Sequence, residues 1–130
     1  MRATDPQGVA AALANIDRPV IGGLVIPPDA LFLALRAQIV SFASERRLPT
    51  IYALREFVEA GGLMSYATNI FEVWRRAGTY VERILRGARP SELPIEQPRT
   101  FELLINQSAA RAIGIAIPPM LLARADEVIE

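Results

Sequence analysis

Glu56 and Glu59, one helical turn apart, are the nearest this sequence comes to a pair of catalytic carboxylates. Such a pair could divide acid and base roles, although the outer face of a solvated helix holds the same residues equally well. Glycoside-type hydrolysis needs two carboxylates facing one another across a pocket, and Glu56 alone does not make that pair. Asp29 could hold a ligand ammonium or could cap a helix. Tyr52 and Tyr66 each close an apolar run, where a ring can face a cleft or join a core. Arg55 could fork onto a carboxylate, or could form an ion pair with Glu59 four residues on. Gly22-Gly23 lacks the GxGxxG spacing of a phosphate loop and is followed by prolines, so close backbone packing explains it better.

What is missing excludes more. The sequence contains no histidine and no cysteine, and its 14 basic residues are all arginine. Histidine-activated hydroxyl nucleophiles, thiolates, lysine Schiff bases and the P-loop lysine are all impossible. The usual zinc sites lose both of their preferred ligands, and no metal or other cofactor is expected. Equal numbers of acidic and basic residues, 14 of each, argue against nucleic acid, which requires a basic surplus. A chain of 130 residues with 52% hydrophobic and 22% charged residues is long enough and apolar enough to fold around a core. No run reaches the length of a membrane span. The residues after Met1 lack the pattern of a secretory signal. The chain as written is therefore expected in the cytoplasm, or in the periplasm if it is a piece of a longer exported protein.

The elements that must position these side chains alternate. Thr4 or Asp5 can cap a first helix reaching about Ile16, with Pro6 in its first turn. Val20 to Ile26 reads as a strand buried on both faces, stopped by Pro27-Pro28. Asp29 then caps a helix to about Arg47 with Phe32, Leu35, Ile39 and Phe42 on one face. A strand over 48–53, a short helix over 55–60 closed by Gly61-Gly62, and a strand over 63–66 follow. Asn69 caps the clearest helix, Ile70 to Arg86, which ends at Gly87. Its apolar stripe is Phe71, Trp74, Ala77, Val81, Ile84 and Leu85. Prolines 90, 94 and 98 mark a connector with room for one edge strand at 95–97. Phe101 to Asn106 reads as a strand, Ser108 as the cap of a helix to Ala112, and the residues beyond Pro118-Pro119 as a last turn and a polar tail. This alternation predicts an α/β domain over 1–130, a largely parallel sheet flanked by helices. Ligands of such sheets lie beyond the strands' carboxyl ends.

Beyond this reading, Leu48-Pro49-Thr50-Ile51-Tyr52-Ala53-Leu54-Arg55-Glu56-Phe57-Val58-Glu59-Ala60-Gly61-Gly62-Leu63-Met64-Ser65-Tyr66 closely resembles the bacterial ABC-transporter substrate-binding family, which has the type I periplasmic-binding-protein fold. Arg76 to Gly87, Leu93 to Pro98 and Ile117 to Glu130 are similar to its later motifs. Members of that family are longer, with an export signal and a complete first lobe. The resemblance implies that this sequence corresponds to most of the second lobe, with 63–87 as the segment that crosses toward the first. It implies a non-catalytic domain for a small solute, an aromatic amino acid among the candidates, and an ABC permease as partner. It makes Asp29, Tyr52, Glu56, Ser65 and Tyr66 the expected ligand contacts. Without a first lobe beneath it, the stripe on the long helix is expected to pair two copies of the chain, with Phe71, Trp74 and Val81 at the interface. The alternative function is a truncated, self-associating remnant that binds no solute.

Overall fold

The structure, a computed structural model, describes residues 5–16 and 21–130. Thr4 and Val20, two residues of the expectations above, lie outside them. The described chain divides into two compact units: Met1–Ala67 with Leu103–Glu130, and Thr68–Glu102. Five strands form one sheet in the order β1-β2-β3-β4-β5. They are β1 (Leu24–Ile26), β2 (Thr50–Tyr52), β3 (Met64–Thr68), β4 (Phe101–Asn106) and β5 (Glu127–Ile129). β1 and β2, β2 and β3, and β4 and β5 each pair in parallel.

In the first unit, α1 (Pro6–Ala14) starts where Asp5 accepts a 2.7 Å bond from the Gly8 N–H. It buries Val9 and Leu13 in a core shared with Ile39, Val40, Tyr52 and Phe57. The single helix expected from Asp29 onward is two, α2 (Ala30–Ala34) and α3 (Arg36–Glu45), broken at Leu35. The apolar stripe runs straight through that break, so hydrophobic spacing could not reveal it. Arg47, at φ 50°, follows α3 in the left-handed region, and the Leu48 N–H bonds back to the Ala43 carbonyl. α4 (Arg55–Glu59) ends at Gly61, whose φ of 99° suits glycine. A second cluster, Leu63, Ala110 and Ile113, surrounds α6 (Gln107–Ile113), which stops at Gly114.

Other expectations need correction. β1 is short and lies at the sheet edge with Val25 78% exposed, so it is not buried on both faces. The helix after β4 is capped by Asn106, whose Oδ1 accepts from the Ala109 N–H and the Ser108 hydroxyl, and not by Ser108. The polar tail follows the short helix α7 (Pro119–Leu122) and is itself the strand β5. Asp126 explains its register: its N–H bonds to the Leu103 carbonyl and its carboxylate accepts from the Leu103 N–H. Residues 95–97 form no strand; Pro94 and Pro98 bracket them.

The second unit is the helix α5 (Ile70–Leu85) and the segment that follows it. Asn69 accepts from the Phe71 and Glu72 N–H groups, and Gly87 ends the helix at φ 100°. Both signals match those read in the sequence. A single 3-10 turn, Pro90–Glu92, is the only regular structure between α5 and β4.

Candidate functional site

β1 and β2 end side by side, and β3 continues past them to Thr68. Ile26 registers with Tyr52, Tyr52 registers with Ser65, and the Ala53 N–H reaches the Ile26 carbonyl at 3.1 Å. Of the five expected contact residues, Asp29 and Glu56 follow the carboxyl ends of β1 and β2, and Tyr52 is the last residue of β2. Ser65 and Tyr66 lie inside β3, which runs on to Thr68 rather than ending at Tyr66 as expected from the sequence.

Asp29 is exposed just beyond β1. Pro27-Pro28 cannot continue the ladder, because proline has no N–H to donate, and the chain turns into α2. The Asp29 Oδ1 accepts from the Leu31 N–H at 2.7 Å and the Phe32 N–H at 3.3 Å. The capping reading of this residue therefore holds. Glu56 is half-buried in the first turn of α4. Its neighbour Arg55 holds both Glu59 at 2.8 Å and Glu127 at 3.1 Å. That arginine ties α4 to β5 in a way no local spacing could disclose, and Glu59 serves it as a surface ion-pair partner.

Tyr52 is 1% exposed, its ring stacked on Phe57 at 4.7 Å between centroids and 12° between planes. Of the two places open to this ring, the structure gives it the core. Ser65 is also 1% exposed. Tyr66, the next residue of β3, is 54% exposed, as the alternation of a strand requires. Asp29 and Tyr66 thus offer surface, Glu56 is intermediate, and Tyr52 and Ser65 lie beneath. Asn106, 5% exposed at the end of β4, is a buried polar residue that the sequence reading missed. The signal was available, since asparagine directly after an apolar strand is a strong N-cap.

Burial pushes the Tyr52 phenol up to about 12, against a smaller lowering by the Thr50 hydroxyl. The unfolded tyrosine titrates near 10, so between about pH 10 and 12 the folded chain holds a proton that the unfolded chain has lost. Stability is full below pH 10 and falls as pH rises through that window, by roughly 2–3 kcal/mol in all. Denaturant melts across the alkaline range should show this loss, and Tyr52→Phe should largely remove it.

The second unit contains a groove of about 440 Å³ between α5 and residues 90–100. Val73, Ala77, Tyr80, Ile84, Leu93 and Ile95 give it largely apolar walls. The Tyr80 hydroxyl donates to the Pro94 carbonyl, Arg76 reaches Glu96 at 3.4 Å, and the Asn69 amide donates to Glu102 at 2.7 Å. None of the five expected contact residues lines it. The remaining face of α5 is bare: Phe71 is 75% exposed, Trp74 69%, Val81 55% and Leu85 82%.

A largely parallel sheet flanked by helices is the fold of periplasmic-binding-protein domains. The chain belongs to the ABC transporter substrate-binding protein family, whose model matches residues 2–129. It is similar to a conserved domain protein from Vibrio cholerae, with TM-score 0.88 and 25% identity over 97% of this chain and 42% of that one. An ABC domain from Streptococcus pneumoniae, solved in complex with L-Trp, matches with TM-score 0.79 and 24% identity over 95% and 40%. A substrate-binding protein with adhesive properties from Clostridium difficile, in its ligand-free, open form, matches with TM-score 0.61 and 22% identity over 95% and 39%. The chain thus spans about two fifths of the length of these structures. It matches no curated protein.

Proposed function

We propose that this chain forms the solute-contacting part of one lobe of a binding protein for ABC-type uptake, and that it does no chemistry on what it holds. Its solute is a small molecule, an amino acid with an aromatic side chain foremost, and its partner is an ABC permease on the outer side of a membrane. The observation that carries this reading is the carboxyl edge of β1 and β2, where Asp29 is exposed beyond β1 and Glu56 is half-buried beyond β2, together with the exposed ring of Tyr66 in β3. A carboxylate suits the ammonium of an amino acid, and the half-exposed Tyr66 ring suits an aromatic face. Membership of the substrate-binding family supports the class, and the L-Trp complex of one structural relative supports the choice of solute. Residues 63–87 serve, in this reading, as the segment that crosses to a first lobe.

Isothermal titration of the chain with L-tryptophan and then the other amino acids is the test. Heat of binding that Tyr66→Ala reduces at least tenfold is expected. No heat with any of them would remove the binding role from this chain and leave its fold untouched. A second reading, a self-associating chain that binds no solute, is favoured by one feature, the bare apolar face of α5.

A further inference from the structure

We propose that Asn69 and Glu102 form a clasp that joins the two ends of the second unit, so that the start of α5 and the start of β4 move as one; this stands whether or not the chain holds a solute. The second unit is Thr68–Glu102. The chain enters it at the end of β3 and leaves it within the first residues of β4. Asn69 is its second residue and Glu102 its last, 33 positions apart, and the Asn69 Nδ2 donates to the Glu102 Oε1 at 2.7 Å. Both residues are half-buried, where a hydrogen bond to a charged group is stronger than in open water. Both partners belong to this unit, so the clasp is complete within it.

The amide of Asn69 is divided between two tasks. Its Oδ1 accepts from the Phe71 N–H at 3.0 Å and the Glu72 N–H at 3.3 Å, which starts α5, and its Nδ2 holds Glu102. A carboxylate would do the first task as well. Asp5 and Asp29 cap α1 and α2 in this same chain, and aspartate and asparagine are caps of similar strength. An aspartate would also suit the positive end of the helix dipole.

What an aspartate lacks is an N–H to give, and at this position it would set a second carboxylate against Glu102. The glutamate at the far end of the unit is therefore what requires an amide at its near end. The two tasks are also coupled. Turning the amide over would aim its NH2 at the helix N–H groups and its oxygen at the Glu102 carboxylate, so that motion cannot release one partner and keep the other. An asparagine that only capped α5 would have no such constraint.

Hydrogen exchange of the whole chain, read peptide by peptide in a mass spectrometer, is the test, because local opening raises exchange where it occurs. Asn69→Asp should keep the cap and lose the clasp. Residues 68–86 and 100–106 should then exchange about tenfold faster or more, while the peptide around Phe57 keeps its rate. Adding Glu102→Gln to Asn69→Asp restores the bond in the reverse direction, the glutamine amide donating to the aspartate. That pair should bring exchange back to within about threefold of the unchanged chain. Glu102→Gln alone keeps an acceptor for Asn69 and should change little. Unaltered exchange in Asn69→Asp would overturn the proposal, as would failure of the pair to restore it. So would a rise of the same size around Phe57, which means a general loss of stability rather than a joint coming apart.

Discussion

Phe57→Ala should destabilise the folded chain by about 3–5 kcal/mol, the range for deleting a buried aromatic side chain. Phe57 is 0% exposed and lies in the cluster with Val9, Leu13, Ile39, Val40 and Tyr52. Removing it opens a cavity among side chains from α1, α3 and β2, and it also ends the stacking with Tyr52, worth ~0.5–1.5 kcal/mol on its own. Domains are stable by only about 5–15 kcal/mol, so a large part of the total is at stake. A urea midpoint that falls steeply with little change in slope is the expected readout. A loss below about 1 kcal/mol would mean that this cluster is not the centre of the core.

Gly62→Ala should cost about 3 kcal/mol, at the upper end of what overpacking does, although it adds a single methyl group. That Cβ would lie 2.6 Å from the Tyr52 ring and 2.7 Å from the Phe57 carbonyl oxygen. The ring is held by its own stacking, and the carbonyl is backbone that already accepts the Gly62 N–H at 2.8 Å. Neither can turn aside cheaply. Gly22→Ala is the internal comparison, since a Cβ there meets none of the described residues within 4 Å, and it should be nearly neutral. Equal thermal shifts for the two variants would contradict the packing described around Tyr52.

Much of this was legible because the signals were local. Asn69 and Gly87 mark the two ends of α5 through hydrogen bonding and left-handed geometry, both properties of single residues in short windows. The apolar run of β4 reads directly as a strand, and the alternation of elements indicates a largely parallel sheet. What escaped depends on distant partners. β5 is a strand because Asp126 meets Leu103, and its three residues are too few to carry a strand pattern of their own. The break at Leu35 leaves the apolar face of α2 and α3 unbroken, so spacing passes over it. Among the candidate contacts, Asp29 was recognisable as a cap. Tyr52 could not be assigned from sequence, because the deciding fact is its stacking on Phe57, five residues later and in another element. The ends of β1 and β2 are legible from Pro27-Pro28 and from the turn before α4, whereas β3 runs on to Thr68, and the depth of each side chain is set by packing.

The order of strands in the sheet is also their order in the chain. A ribosome releases β1 first, and each later strand emerges when its sheet neighbour has already been made. Among these five strands, none waits for a sheet neighbour that lies beyond the next strand in sequence. β2 and β3 are only a short helix apart, which makes their pairing an inexpensive loop closure. The longest interval between neighbouring strands is the one occupied by α5, whose sixteen residues can form by local contacts alone. Assembly from the amino to the carboxyl end is therefore compatible with synthesis, and the pause before β4 is where a nascent sheet edge stays open longest to misassociation.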